Sequence, residues 1–272
     1  MLVPLACTVR GCGQPLTRDD RRLVCPAGHA FDVARSGYVS LLQPQDRRSL
    51  ASGDPKEAVA ARARLLDSGI GRAVIDAIVA RAPATSEVLV AVDLGCGSGE
   101  LLGALAAARD VCGIGIDLST AAADAAARRF PSLTWIVANA DRRLPLRDGC
   151  VDLVVSLNGR RNPEECARVL VPDGTLIVAV PAPDDLIELR AQVQGEAVIR
   201  DRADAVVAAH APRFDLIERF TVTTRHELDG DALRALLSGT YRGGRTSMRP
   251  RADALEAQAV TVSSDVCVLR RR

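Results

Sequence analysis

Apolar residues follow two rhythms along the chain. From residue 88 to residue 181, compact runs rich in Val, Ile and Leu recur: VLVAVDLG (88–95), VCGIGIDLS (111–119), LTWIVANAD (133–141), CVDLVVSLN (150–158) and GTLIVAVP (174–181). Runs this short and this continuously apolar predict strands buried on both faces. Between them GELLGALAAAR (99–109), TAAADAAARRF (120–130) and PEECARVL (163–170) carry helical spacing. Strands alternating with helices predict a parallel sheet covered on both sides, an α/β fold. Towards the end, residues 214–228, 232–239 and 256–271 read as strand, helix and strand, an antiparallel pair that closes the sheet.

The first part of the chain behaves differently. From Pro55 to Arg81 apolar positions recur with a helical period, at Ala58, Ala61, Leu65 and Leu66 and then at Val74, Ile75, Ile78 and Val79. The break at Ser68-Gly69-Ile70-Gly71 predicts two helices. Residues 46–54 are polar and turn-rich, a linker. Before them lie short apolar pieces punctuated by Cys, Gly and Pro, too short to bury a core unaided. The expected division is therefore a module over 1–45, a helical linker region over 46–81 and an α/β domain over 82–272.

Composition narrows the class. Hydrophobic residues make up 48% of 272, enough for a proper core, and a net charge of +1 gives no global case for a polyanionic partner. No run of apolar residues is long enough for a membrane span, and no charged leader precedes an apolar stretch, so a cytoplasmic protein is expected. Eight Cys do not make a disulfide scaffold, but three of them crowd near the N-terminus beside one of three His.

That cluster is Cys7-x4-Cys12-x12-Cys25-x3-His29. Two close pairs of thiol and imidazole donors bridged by about a dozen residues suit a tetrahedral structural Zn²⁺. Gly11, Gly13 and Pro26-Ala27-Gly28 supply the turns, and metal binding would supply the folding free energy that the short module lacks. With four protein ligands the site is expected to be structural.

A second constellation begins at Asp93-Leu94-Gly95-Cys96-Gly97-Ser98-Gly99, which ends a strand and opens a helix. The glycines permit a tight turn and close approach of a ligand to the backbone. Asp117-Leu118 ends the next strand, where a carboxylate can take ribose hydroxyls. Asn139 and Asp141 follow the third strand, suited to an adenine edge, and Asn158 ends the fourth. In this order and register the set resembles the class I S-adenosylmethionine-dependent methyltransferases, with a Rossmann-like sheet. The resemblance implies cofactor contacts at Asp93, Gly95, Gly97, Ser98, Asp117, Leu118, Asn139 and Asp141. Asn158 is the candidate for orienting the methyl acceptor.

Together with the zinc module, the pieces CGQPL, LVCPAGHAFDVARSGYVSLL, GDPKEAVAARARLLDSG and VDLGCGSGE resemble the bacterial 23S ribosomal RNA guanine-N1 methyltransferases. That resemblance implies an RNA substrate presented in a hairpin loop, zinc on Cys7, Cys12, Cys25 and His29, and a homodimer, for which the sequence itself carries no evidence. The chain departs from the family pattern at Gly71, at Asn158-Gly159-Arg160, at Asp185 and at Ser238-Gly239-Thr240-Tyr241-Arg242. Two other readings stand beside the RNA enzyme: a small-molecule (metabolite or antibiotic) methyltransferase, and a non-catalytic paralogue that binds RNA or a protein. Local cation clusters available to phosphates are Arg47-Arg48, Arg160-Arg161 and Arg242, Arg245, Arg249 and Arg251. Tyr241 could stack on a base, whereas Trp135 sits mid-strand and reads as core.

Overall fold

A computed structural model describes residues 3–46, 53–85, 87–194, 201–238 and 254–272. Arg47-Arg48, Tyr241, Arg242, Arg245, Arg249 and Arg251 lie outside the described residues.

At the N-terminus, β1 (Thr17–Asp19), β2 (Arg22–Val24) and β3 (Ala30–Asp32) make a small antiparallel sheet, followed by β4 (Val39–Ser40). The predicted helix pair is α1 (Lys56–Asp67) and α2 (Arg72–Val79). The alternating series then runs β5 (Leu89–Leu94), α3 (Glu100–Ala108), β6 (Val111–Asp117), α4 (Thr120–Arg129), β7 (Thr134–Val137), β8 (Val151–Leu157), α5 (Pro163–Val169) and β9 (Leu170–Pro181). After it come α6 (Ile187–Gln194), α7 (Arg202–His210), β10 (Phe214–Leu228), α8 (Gly230–Ser238) and β11 (Gln258–Arg271).

Eight of the described strands form one sheet in the order β10-β11-β9-β8-β5-β6-β7-β4. The run from β9 to β4 is parallel, and β11 and β10 add antiparallel strands. This is the expected α/β architecture, with its antiparallel edge pair. The central strands are buried nearly end to end, as strands with helices on both faces must be. Trp135 is 1% exposed within β7, and its indole nitrogen donates to the Phe130 carbonyl at 2.9 Å, so it is core as read. Strand order reverses between β5 and β8, which opens a crevice at their carboxyl ends.

Two features lie outside the expected pattern. The helices α6 and α7 fill the passage from β9 to β10. Asp201 starts α7 by accepting from the Asp204 amide, and Ala203, Val206 and His210 are its buried positions. The other feature is the seat of the N-terminal module. Strand β4 pairs in parallel with β7, Val39 opposite Ile136 and Ser40 opposite Val137. Leu5 bridges Leu146, the Ala6 amide donates to the Pro145 carbonyl and the Arg147 amide to the Pro4 carbonyl, both at 3.0 Å. Leu5, Leu16, Leu23, Val39 and Leu41 are buried in one continuous core with Ile136, Leu144 and Leu146. Each such leucine contributes roughly 2 kcal/mol, so the module is welded to the sheet edge.

Candidate active site and metal centre

Strand β5 delivers Asp93 to the base of the crevice, where it is 3% exposed and its Oδ1 has no hydrogen-bond partner. Ser156, on the neighbouring strand β8, is fully buried and its Oγ is likewise unpartnered. Burial, reinforced by the charges of Asp117 and Glu100, pushes the Asp93 carboxyl up to about 8. Asp117 ends β6 and ties the turn to the glycine loop: its Oδ2 accepts from the Gly97 amide at 3.0 Å and its Oδ1 from the Ser119 amide at 2.8 Å. Burial raises its carboxyl too, against the pull of those two amides. Ser98 donates to Glu100 Oε1 at 2.6 Å, and Glu100 also accepts from Arg129 at 3.1 Å. A Cβ placed on Gly97 would meet nothing within 4 Å, so the loop faces open space. Acceptors crowded this closely, some without donors, suit a ligand that brings positive charge and hydroxyl groups.

The loops after β7 and β8 complete the rim. Asn139 is buried with its amide already engaged, Nδ2 donating to the Asp46 carbonyl and Oδ1 accepting from the Asp141 amide, each at 3.0 Å. Asp141 pairs with Arg160 across the rim at 2.6 Å. Asn158 is exposed, turned into the left-handed region (φ 55°), with its backbone N–H donating to the Ala179 carbonyl at 2.9 Å. The next residue must be glycine: a Cβ on Gly159 would lie 2.1 Å from the Leu94 carbonyl oxygen, so this loop presses directly on the end of β5. The two arginines that follow point opposite ways. Arg160 is 71% exposed, whereas Arg161 turns inward, donates to the Gly159 carbonyl at 3.2 Å and leaves its Nε buried without a partner. Of these two, Arg160 is the one that faces solvent.

The N-terminal cluster is compact. The ligand atoms of Cys7, Cys12, Cys25 and His29 all lie within 4.8 Å of one another. Cys7 Sγ is 3.5 Å and Cys25 Sγ 3.4 Å from His29 Nδ1, and the Cys12 and Cys25 sulfurs are 3.8 Å apart. A tetrahedron with Zn–S of about 2.3 Å and Zn–N of about 2.0 Å has edges of roughly 3.5–3.8 Å. The fit is close. The Gly28 amide donates to the Cys25 carbonyl and the Cys12 amide to the Val9 carbonyl, both at 2.9 Å, which folds the chain around the four donors. Burial pushes the Cys7 thiol up to about 12, and its contacts with the Cys12 and Cys25 thiols add to the rise. Among the described residues no other group of His, Cys, Asp and Glu is gathered this way.

Two family models match the chain. Residues 6–50 match a zinc-ribbon model described as RlmA, N-terminal, and residues 91–174 match a methyltransferase domain. The chain is 38% identical to the 23S rRNA (guanine(748)-N(1))-methyltransferase of Streptomyces fradiae, over 82% of this chain and 80% of that protein. This chain belongs to that methyltransferase family. It is an S-adenosylmethionine-dependent methyltransferase with a zinc ribbon at its N-terminus. A putative 23S rRNA (guanine-N(1)-)-methyltransferase of Micromonospora griseorubida is 39% identical over 70% of this chain and 69% of its own. Among solved structures, the complex of the Haloferax volcanii Trm112 activator with a putative methyltransferase shares the fold, with a TM-score of 0.53 and 23% identity over 82% of this chain and 99% of that one.

The methyltransferase accommodates its departures locally. Gly71 starts α2 with φ 83°, a conformation that disfavours a side chain. Asp185 accepts from the Ser263 amide at 3.0 Å and lies 4.0 Å from Arg190, so it fastens the chain after β9 to β11. The three histidines are placed apart: His29 in the metal cluster, His210 buried at the C-terminal end of α7 and His226 on β10 beside Thr224. Ser156 and Glu100 are residues of the site that sequence reasoning did not assign; Asp141 and Arg160 were assigned separately, and their pairing was not foreseen. Glu100 alone had a visible signal, as the first residue after the glycine loop. No described helix is long and apolar enough to cross a membrane.

Proposed function

We propose that this enzyme transfers a methyl group from S-adenosylmethionine to N1 of a guanine in 23S ribosomal RNA, in the cytoplasm, acting on a base held in a hairpin loop. The observation that carries the reading is that the likeness to enzymes named for this reaction runs through most of the chain, the zinc module included. The cofactor supplies an activated sulfonium methyl. Asp93 and Ser156 offer unpartnered oxygens at the crevice floor, Asp117 the ribose-side carboxylate, and the Gly95–Ser98 backbone a close wall. Leu118, Asn139 and Asp141 border the adenine end. Cys7, Cys12, Cys25 and His29 hold Zn²⁺ and thereby fix the module against the sheet edge.

Asn158 is the residue proposed to orient the acceptor. Its left-handed backbone, held by the Ala179 carbonyl and by the contact of Gly159 with Leu94, sets an exposed amide at the carboxyl end of β8. Guanine N1 must be unpaired and lose its proton, which favours a loop nucleotide splayed out of its stack. Arg160, beside Asn158, is placed to meet the flanking phosphate. The family resemblance extends a homodimer to this chain as well, which light scattering tests.

The experiment is methyl transfer from labelled cofactor to 23S ribosomal RNA, read by primer extension, because an N1-methyl blocks base pairing at that guanine. A single cofactor-dependent stop is expected, and Asn158→Ala should lower the rate about a hundredfold at unchanged cofactor affinity. Cofactor binding without any methyl entering ribosomal RNA would sink the reading in favour of a small-molecule acceptor.

A further inference from the structure

The adenosine end of the crevice is bordered by chain that lies outside the α/β domain. The polypeptide leaving the zinc module reaches Asp46, whose carbonyl accepts from Asn139 Nδ2. Where it is next described, Gly53 rests on the turn after β6: a Cβ there would lie 2.5 Å from the Ser119 amide nitrogen and 2.8 Å from the Leu118 carbonyl carbon. Gly53 also has φ 86°, so glycine is required twice over. The Asp54 carbonyl then accepts from Ser119 Oγ at 2.6 Å, and its carboxylate pairs with Arg62 of α1. Ser119 is 1% and Asn139 7% exposed, so both tethers are sheltered from competing water.

The two loops that make these tethers are the ones carrying Asp117-Leu118 and Asn139-Asp141. Ser119 is also the residue whose amide holds Asp117 Oδ1 and whose hydroxyl caps α4 by accepting from the Ala122 amide. Any shift of the connector against Ser119 therefore moves the ribose-side carboxylate. Asn139, donating from Nδ2 to the Asp46 carbonyl and accepting at Oδ1 from the Asp141 amide, ties the connector to its own loop.

We propose that Gly53-Asp54 is a working wall of the cofactor site: it fixes the height of Leu118-Ser119, and so the affinity for the adenosine half of the cofactor depends on how Gly53-Asp54 and α1 are seated. The inference rests on the crevice being the S-adenosylmethionine site. It makes Gly53 and Arg62 positioning residues, although neither reaches the reacting atoms. Coupling of this kind is reciprocal, so a bound adenosine group also holds the connector in place.

The test is calorimetry on the full, zinc-loaded chain with two ligands, S-adenosylhomocysteine and 5′-methylthioadenosine, the second of which lacks the amino-acid end. Gly53→Ala should weaken both by about tenfold or more, and Arg62→Ala, which frees Asp54 from the protein surface, both by roughly twofold to fivefold. Circular dichroism and zinc content should match the parent. If Gly53→Ala fails to fold, Arg62→Ala decides alone. Unchanged affinity for both ligands in the folded variants overturns the proposal. Failure of the parent protein to bind either ligand overturns the cofactor reading instead.

Discussion

Asp93 stores an electrostatic penalty that the cofactor should release. Its carboxyl is displaced from 3.8 to about 8 by burial and by Asp117 and Glu100, and each unit corresponds to about 1.4 kcal/mol. At pH 7 the unfolded chain holds this group ionised while the fold keeps it protonated, a cost of roughly 4 kcal/mol. Because the native state retains a proton that the unfolded state has lost, stability contributed here falls as pH rises from about 4 to about 8. Replacing Asp93 with Asn removes the titration. The ligand-free variant should be more stable than the parent at pH 8 by about 2–4 kcal/mol, with a flatter pH dependence. A cationic sulfonium favours the ionised carboxylate, so cofactor affinity in the parent should rise between pH 6 and 8 with proton release, and in the variant should be weaker and pH-independent. Urea unfolding at pH 5.5, 7 and 8.5, and calorimetry in two buffers of different ionisation enthalpy, measure both. An Asp93→Asn protein no more stable than the parent at pH 8.5 would refute the reasoning.

Other residues make separate claims. Cys25→Ser should lose most bound zinc by elemental analysis and lower the melting temperature of the whole chain, since the module shares its core with the sheet. Arg168 bonds Glu165, Asp148 and the carbonyls of Leu144 and Leu146, so Arg168→Met should cost about 3 kcal/mol in urea unfolding by stranding those acceptors. Asp185→Ala removes the acceptor for the Ser263 amide and should cost about 1–2 kcal/mol. Because Asp185 fastens β11, calorimetry should find cofactor affinity unchanged.

The parts of the fold that could be read from sequence are those with a strong period. The strands of the parallel run are apolar on both faces because helices cover both, and that leaves continuous runs of Val, Ile and Leu. The zinc ligands were legible because few residue types bind soft metals and their spacing is constrained. Strand β4 was not, since two residues carry no period and its pairing with β7 depends on chain far away. The helix α7 hides because Ala203, Val206 and His210 contrast weakly with their exposed neighbours. Arg160-Arg161 reads as one charge cluster in sequence, but the left-handed turn at Asn158 and the pressed backbone at Gly159 send the pair in opposite directions. The bond from Asn139 Nδ2 to the Asp46 carbonyl was not legible either, because the two residues are 93 positions apart.

Pairing of β4 with β7 has a practical consequence for anyone cutting this protein into parts. A fragment starting at Gly53 would leave β7 with a bare row of amides and carbonyls and would uncover Leu144 and Leu146 beside it. Such rims recruit strands from other molecules, so the shortened enzyme should form aggregates before its chemistry can be measured. The zinc ribbon thus serves as a selvage, the finished border that keeps the sheet from unravelling into its neighbours.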